Sequence, residues 1–117
     1  MYGIPENLDL SSLKGDRLDH IALQEYQVVF GFDRGMSFVI EVQIDVVKNG
    51  STVARWQQET GWSSVSFQNV IGLSVESFAI RSKNELNILL NDGWLLIIYD
   101  NSPQYESFHI YPQDIHI

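Results

Sequence analysis

The chain of 117 residues reads as a single mainly β domain of α+β type. Two four-strand units, each opened by a short helical turn, are expected to form a β-barrel or sandwich. Three observations lead there. Two apolar runs, 86–90 and 94–99, flank Asn91-Asp92-Gly93, and Asp-Gly is a hairpin-turn dipeptide because both residues tolerate positive φ. Apolar residues alternate at Tyr26, Val28, Phe30 and Phe32, and again at Met36, Phe38, Ile40, Val42 and Ile44, the period of a strand with one buried face. Thirdly, the apolar-x-apolar-x-x-apolar-x-Gly spacing of residues 8–15 recurs at 65–72. The match runs on through Leu18 over Val75, Ile21 over Phe78, and, after one inserted residue, Phe30 over Ile88 and Phe38 over Leu96. A phased series with one slip predicts two internal repeats, about 8–56 and 65–111, sharing residues 1–117 as one domain.

Each repeat opens with a helical turn ended by a glycine, Gly15 or Gly72, able to take the left-handed conformation that closes such turns. Asp9 and Ser64 or Ser66 are the capping candidates. A first strand follows at about 17–24 and 74–81, and a second at 26–33 and 86–91. In the first repeat, Asp33-Arg34-Gly35 turns into a third strand whose outward face is Ser37, Glu41, Gln43 and Asp45, with Val39 the exception. In the second repeat the matching outward face is Leu95, Ile97 and Tyr99. One repeat thus presents a wet face and the other an apolar one. The fourth strands are 52–56, after a turn at Asn49-Gly50, and a return strand after Asn101-Ser102-Pro103. That return strand sets Tyr105, Ser107, His109 and Tyr111 on one face and Glu106, Phe108 and Ile110 on the other. Trp62, beside Gly61 in the link at 57–63, is the candidate exposed tryptophan.

Composition narrows the function classes. A 44% hydrophobic content suffices for a sizeable core, and no window approaches the roughly 18 apolar residues of a membrane helix. The first residues lack the basic and apolar regions of a signal peptide, and cysteine is absent, so a cytoplasmic protein without disulfide or thiolate chemistry is expected. A formal charge of −8 and a pI near 4.6 disfavour direct nucleic-acid binding. The charge is also uneven. After Lys83 there is no Lys or Arg, while Glu85, Asp92, Asp100, Glu106 and Asp114 remain, interleaved with Trp94, Tyr99, Tyr105, Phe108 and Tyr111. Such a surface serves solubility, or it fits a basic protein partner.

Reaction chemistry is not indicated. Gly-x-Ser-x-Gly is absent, and no glycine-rich loop precedes a helix, so neither an activated serine nor a phosphate cradle is expected. Asp114-x-His116 on an extended segment shares one face and His109 could join it, a candidate ligand set. Without cysteine, and near the chain end, these histidines read as surface residues, and no metal, cofactor or enzyme activity is expected.

The pattern Leu13-x-Gly15, Gly72, Asn91-Asp92-Gly93 and Tyr105-Glu106-Ser107-Phe108 resembles a family of small bacterial β-rich proteins of unknown function. Its members end in an Asp-Gly hairpin and a Tyr-Glu-x-aromatic strand. The first repeat departs from it, with Arg34 between Asp33 and Gly35. Such proteins look like immunity proteins encoded beside bacterial toxins. The resemblance implies a toxin-neutralising protein that binds a basic, nuclease-type toxin. The contact residues expected are Glu85, Asp92, Asp100, Tyr105 and Glu106 around an apolar centre of Leu95, Ile97 and Tyr99. The alternative is a small self-associating scaffold domain that forms a homodimer through that centre. A ligand-binding barrel interior is disfavoured by the bulk of Phe30, Phe32, Phe38 and Trp94.

Overall fold

A computed structural model describes residues 3–101 and 106–117. Two 3-10 turns, Ser11–Leu13 and Val65–Val70, open the two halves where the apolar-Gly spacing placed them. The Asp9 carboxylate accepts from the Ser11 N–H at 2.9 Å, which holds the Asp9 pKa below its ordinary value. Ser64 Oγ accepts from the Ser66 N–H at 3.0 Å. Both bonds satisfy backbone donors that have no partner inside the turn.

The first half continues as β1 (Leu18–Leu23), β2 (Val28–Phe32), β3 (Ser37–Ile40), β4 (Gln43–Lys48), β5 (Ser51–Gln57) and β6 (Gly61–Trp62). The second continues as β7 (Val75–Ser82), β8 (Glu85–Leu90), β9 (Trp94–Tyr99), β10 (Phe108–Tyr111) and β11 (Ile115–His116). Pairing is antiparallel throughout, in a five-stranded sheet ordered β1-β2-β3-β10-β11 and a six-stranded sheet ordered β6-β5-β4-β9-β8-β7. The chain is therefore mainly β, with two open sheets rather than a closed barrel. No helix among the described residues is long and apolar enough to cross a membrane.

The two meanders share one register. Leu18 faces Phe32 and Ile21 faces Phe30, as Val75 faces Leu90 and Phe78 faces Ile88. Each first pair is followed by the same irregularity, between Leu18 and His20 and between Val75 and Ser77. At the junction of the halves the hydrogen bonds are reciprocal. Gly15 N–H donates to Val75 O at 2.8 Å, and Gly72 N–H donates to Leu18 O at 2.7 Å. Val75 N–H reaches Asp16 O while Leu18 N–H reaches Leu73 O, and an Arg17–Ser74 bridge lies between them. Gly15 at φ 88 and Gly72 at φ 94 both sit in the left-handed region, where a β-carbon costs about 1–2 kcal/mol. Glycine there lets each turn deliver its N–H to the opposite half.

The fourth strands depart from the expected arrangement. The chain bends at Glu41-Val42, so the expected third strand of the first half is two strands in different sheets. β4 pairs with β9 and β10 pairs with β3, so each half sends its last hairpin into the other half's sheet. Inward parity runs unbroken through the bend: Phe38 and Ile40 before it, Ile44 and Val46 after it, are all buried. Alternation therefore carried no signal of the break. Val42, expected inward, is half-buried at the bend. Tyr26, also expected inward, precedes β2 and is 64% exposed. The expected turn at Asn101-Ser102-Pro103 lies largely outside the described residues.

One core joins both sheets and includes Phe30, Phe38, Leu90, Leu96, Ile98 and Phe108, all buried. Trp62 is part of its margin and not a free surface residue. It is half-buried, stacked on Phe67 with centroids 4.3 Å apart and planes at 9°, because β6 holds it opposite Trp56 on the edge of the six-stranded sheet.

Candidate functional site

The outer face of the six-stranded sheet gathers four of the expected contact residues. Leu95, Ile97 and Tyr99 project from β9, each half-buried, and Glu85 stands opposite Tyr99 on β8. Leu89, paired with Leu95, and Val47, paired with Leu95 from β4, extend the apolar strip. Asp92 is exposed at the tip of the hairpin, where Asp92 at φ 62 and Gly93 at φ 81 turn as Asp-Gly does. A β-carbon on Gly93 would clash with Asn49 Oδ1, and the Asn49 N–H donates to the Gly93 carbonyl at 2.9 Å, so two turn tips pack directly against each other. Lys48 Nζ bonds the Asp92 carbonyl and lies 5.0 Å from the Trp94 ring centroid.

The wet and apolar faces expected on separate repeats are neighbours here. Asp45, expected as a wet-face residue, lies beside Ile97 and is 1% exposed. Its carboxylate accepts from Arg55 Nε at 2.7 Å and Arg55 Nη2 at 2.8 Å, from Tyr99 OH at 3.1 Å and from Gln43 Nε2 at 3.3 Å. This bidentate pairing is what allows a carboxylate to be buried on a sheet face. It raises the Arg55 pKa. Burial, followed by the Asp45 charge and hydrogen bond, pushes the Tyr99 phenol up to about 12. Asn87, between Ile97 and Ala79, is also buried, and its Oδ1 has no hydrogen-bond partner among the described residues.

Two other expected contact residues, Asp100 and Glu106, fall elsewhere. Asp100, expected as a surface charge, is 3% exposed. Its Oδ1 accepts from Ser107 Oγ at 2.8 Å, and its carbonyl accepts from Asn84 Nδ2 at 2.8 Å, so it anchors the crossing toward β10. Tyr105 lies outside the described residues. Glu106 is exposed but belongs to the opposite sheet.

There Glu106 joins a second cluster that unites His109 and His116 with the nearby Asp114 and with Glu41, distant in sequence. His109 and His116 face each other across β10 and β11, with ring centroids 4.3 Å apart. Glu106 Oε2 is 3.0 Å from His116 Nδ1, and Glu41 Oε1 is 3.1 Å from His109 Nε2. Asp114 Oδ1 lies 2.8 Å from His116 Nε2, and this hydrogen bond, with the Glu106 charge, raises the His116 pKa. A cleft of about 470 Å³, lined by Glu41, Val42, Gln58, Glu106 and His109, opens beside the cluster. The part of Glu41 was missed in the sequence, since only β3–β10 pairing brings it alongside His109.

No family model, curated protein or solved structure matches the chain.

Proposed function

We propose that the protein is a binding module of the immunity type, which neutralises a basic bacterial toxin by covering it with the outer face of the six-stranded sheet. The observation that carries this reading is the half-buried row Leu89, Leu95, Ile97 and Tyr99 on adjacent strands of a chain with net charge −8. Apolar and aromatic side chains at the middle of a patch are the usual anchors of a protein interface. Glu85 and Asp92 border the row. Two cations of the same sheet are engaged within the fold, Arg55 by Asp45 and Lys48 by the Asp92 carbonyl. A basic partner, such as a nuclease whose own positive charge serves its substrate, is steered to such a face and oriented on it. The reading asks for no reaction chemistry of this chain. The shared register and the reciprocal junction support the companion proposal that the chain is two copies of one unit.

The test is co-expression with the product of the adjacent gene, followed by affinity capture and growth rescue. A stable complex that restores growth is expected. Neither complex nor rescue overturns the reading. A dimer mass for the protein alone, abolished by Ile97→Arg, would assign the same face to self-association.

A further inference from the structure

We propose that Glu106, His109 and His116 form a binding site for one divalent transition-metal ion of the zinc class on the outer face of the five-stranded sheet. One ligand atom from each lies within 4.8 Å of the others. The backbone of Phe108 and Ile117 exchanges hydrogen bonds beside them, so the His109–His116 pair occupies the next, non-hydrogen-bonded position, where facing side chains stand closest. A tetrahedral ion bound at about 2.0–2.1 Å separates its donors by roughly 3.3 Å. Glu106 Oε2 to His116 Nδ1, at 3.0 Å, is already close to that spacing. Glu106 Oε1 to His109 Nε2, at 4.0 Å, closes with a small side-chain rotation.

The outward nitrogens are held as those of metal-bound imidazoles are. His116 Nε2 bonds Asp114 at 2.8 Å, and His109 Nδ1 meets the Tyr111 hydroxyl at 3.4 Å. Such partners fix the tautomer and ring orientation of a ligating histidine. Two imidazoles and a carboxylate suit Zn²⁺ or another late first-row ion. Glu41 borders the site through His109 Nε2 at 3.1 Å, and the cleft beside it leaves a side open to water or a small anion.

A comparison inside the molecule points the same way. The corresponding position of the other sheet, with Asp45 and Arg55 across β4–β5 and Tyr99 beside them, holds a self-contained ion pair. In the five-stranded sheet the same places carry His109, His116 and Glu41. Glu41, Glu106 and Asp114 supply negative charge there, and no Lys or Arg occurs in the sequence after Lys83. A bound dication supplies the positive charge that Arg55 supplies in the other sheet.

The experiment is calorimetric titration of the untagged, chelator-treated full chain with Zn²⁺, and with Co²⁺ for its visible spectrum. One ion per chain is expected, with micromolar or tighter affinity, a raised melting temperature and the intense bands of four-coordinate Co²⁺. His109→Gln and Glu106→Gln should each weaken binding at least tenfold. His20→Gln, which changes an exposed histidine paired with Asp19, should leave it unchanged. Glu106 is exposed, so its variant tests the site even if a histidine variant fails to fold. Absence of saturable Zn²⁺ binding overturns the proposal, as does binding that persists when Glu106 and His109 are both replaced.

Discussion

Leu96 and Ile97 are neighbours on β9 that point to opposite faces of the sheet, and truncating each separates the core from the proposed contact surface. Leu96 is 1% exposed and lies between Val46 and Ile88 on the flanking strands. Leu96→Ala removes about three carbon groups, worth about 2.4 kcal/mol in transfer free energy at ~0.8 kcal/mol each. The cavity adds to this, because close-packed sheets on both sides limit collapse, and a total of about 3–5 kcal/mol is expected. Ile97 is half-buried, with Asp45 and Asn87 beside it. Ile97→Ala forfeits only part of its transfer term and leaves no enclosed cavity, so about 1 kcal/mol is expected. Urea denaturation followed by circular dichroism measures both. At an m-value of about 1.5 kcal/mol per molar, Leu96→Ala lowers the midpoint by about 2 M or more, with m unchanged. Equal losses for the two variants, or a loss under ~1 kcal/mol for Leu96→Ala, would refute the assignment of faces.

Gly72→Ala and Gly15→Ala should each cost about 1–2 kcal/mol from left-handed backbone alone, read as a fall in melting temperature. The nearest atoms to an added β-carbon are arginine side-chain ends at 3.7 Å and 3.3 Å, so sterics contribute little. Arg55→Met leaves the Asp45 carboxylate buried without its cation and should cost about 2–4 kcal/mol, less than a fully enclosed pair because Arg55 is half-exposed. Adding Asp45→Leu should recover much of that loss, as a double-mutant cycle will show. The Tyr99 phenol is raised in the folded state to about 12 from 10. Its contribution is therefore complete below pH 10 and lost as pH climbs from 10 toward 12. Tyr99→Phe should flatten the alkaline fall in stability across that window, and an unchanged slope would contradict the raised phenol. Asp100→Ala should destabilise the fold, measured by denaturation, and not act as a surface charge change, because Ser107 Oγ loses its buried acceptor.

Much of the fold was legible along the chain because its signals are local. Alternation in residues 28–32 and 36–40, the left-handed glycines at 15 and 72, and the Asp-Gly turn each express a backbone or burial preference of adjacent residues. Strand exchange between the halves was not legible. The bend at Glu41-Val42 preserves inward parity, so the run from Met36 to Ile44 looks the same whether it is one strand or two. The same limit governs the surfaces. Leu95, Ile97 and Tyr99 could be placed on one face of one strand, but not beside Asp45, since β4–β9 pairing joins residues some fifty positions apart. Asp100 read as a surface charge because nothing local marks the Ser107 hydroxyl as its donor. The His109–His116 pairing was within reach as a short hairpin, whereas Glu41 entered only through the exchanged strand β10.

The most direct measurement of the proposed function is the dissociation rate of the complex formed by Ile97→Arg, against wild type, with the product of the adjacent gene. Ile97 sits at the centre of the apolar row, and a buried anchor of this kind contributes 2 kcal/mol or more to binding. The arginine stem can lie along the sheet, with its charge near Asp45 and Glu85, so the fold should hold while a basic partner is repelled. Dissociation at least thirtyfold faster is expected. A complex as long-lived as that of wild type would place the contact elsewhere and contradict the account.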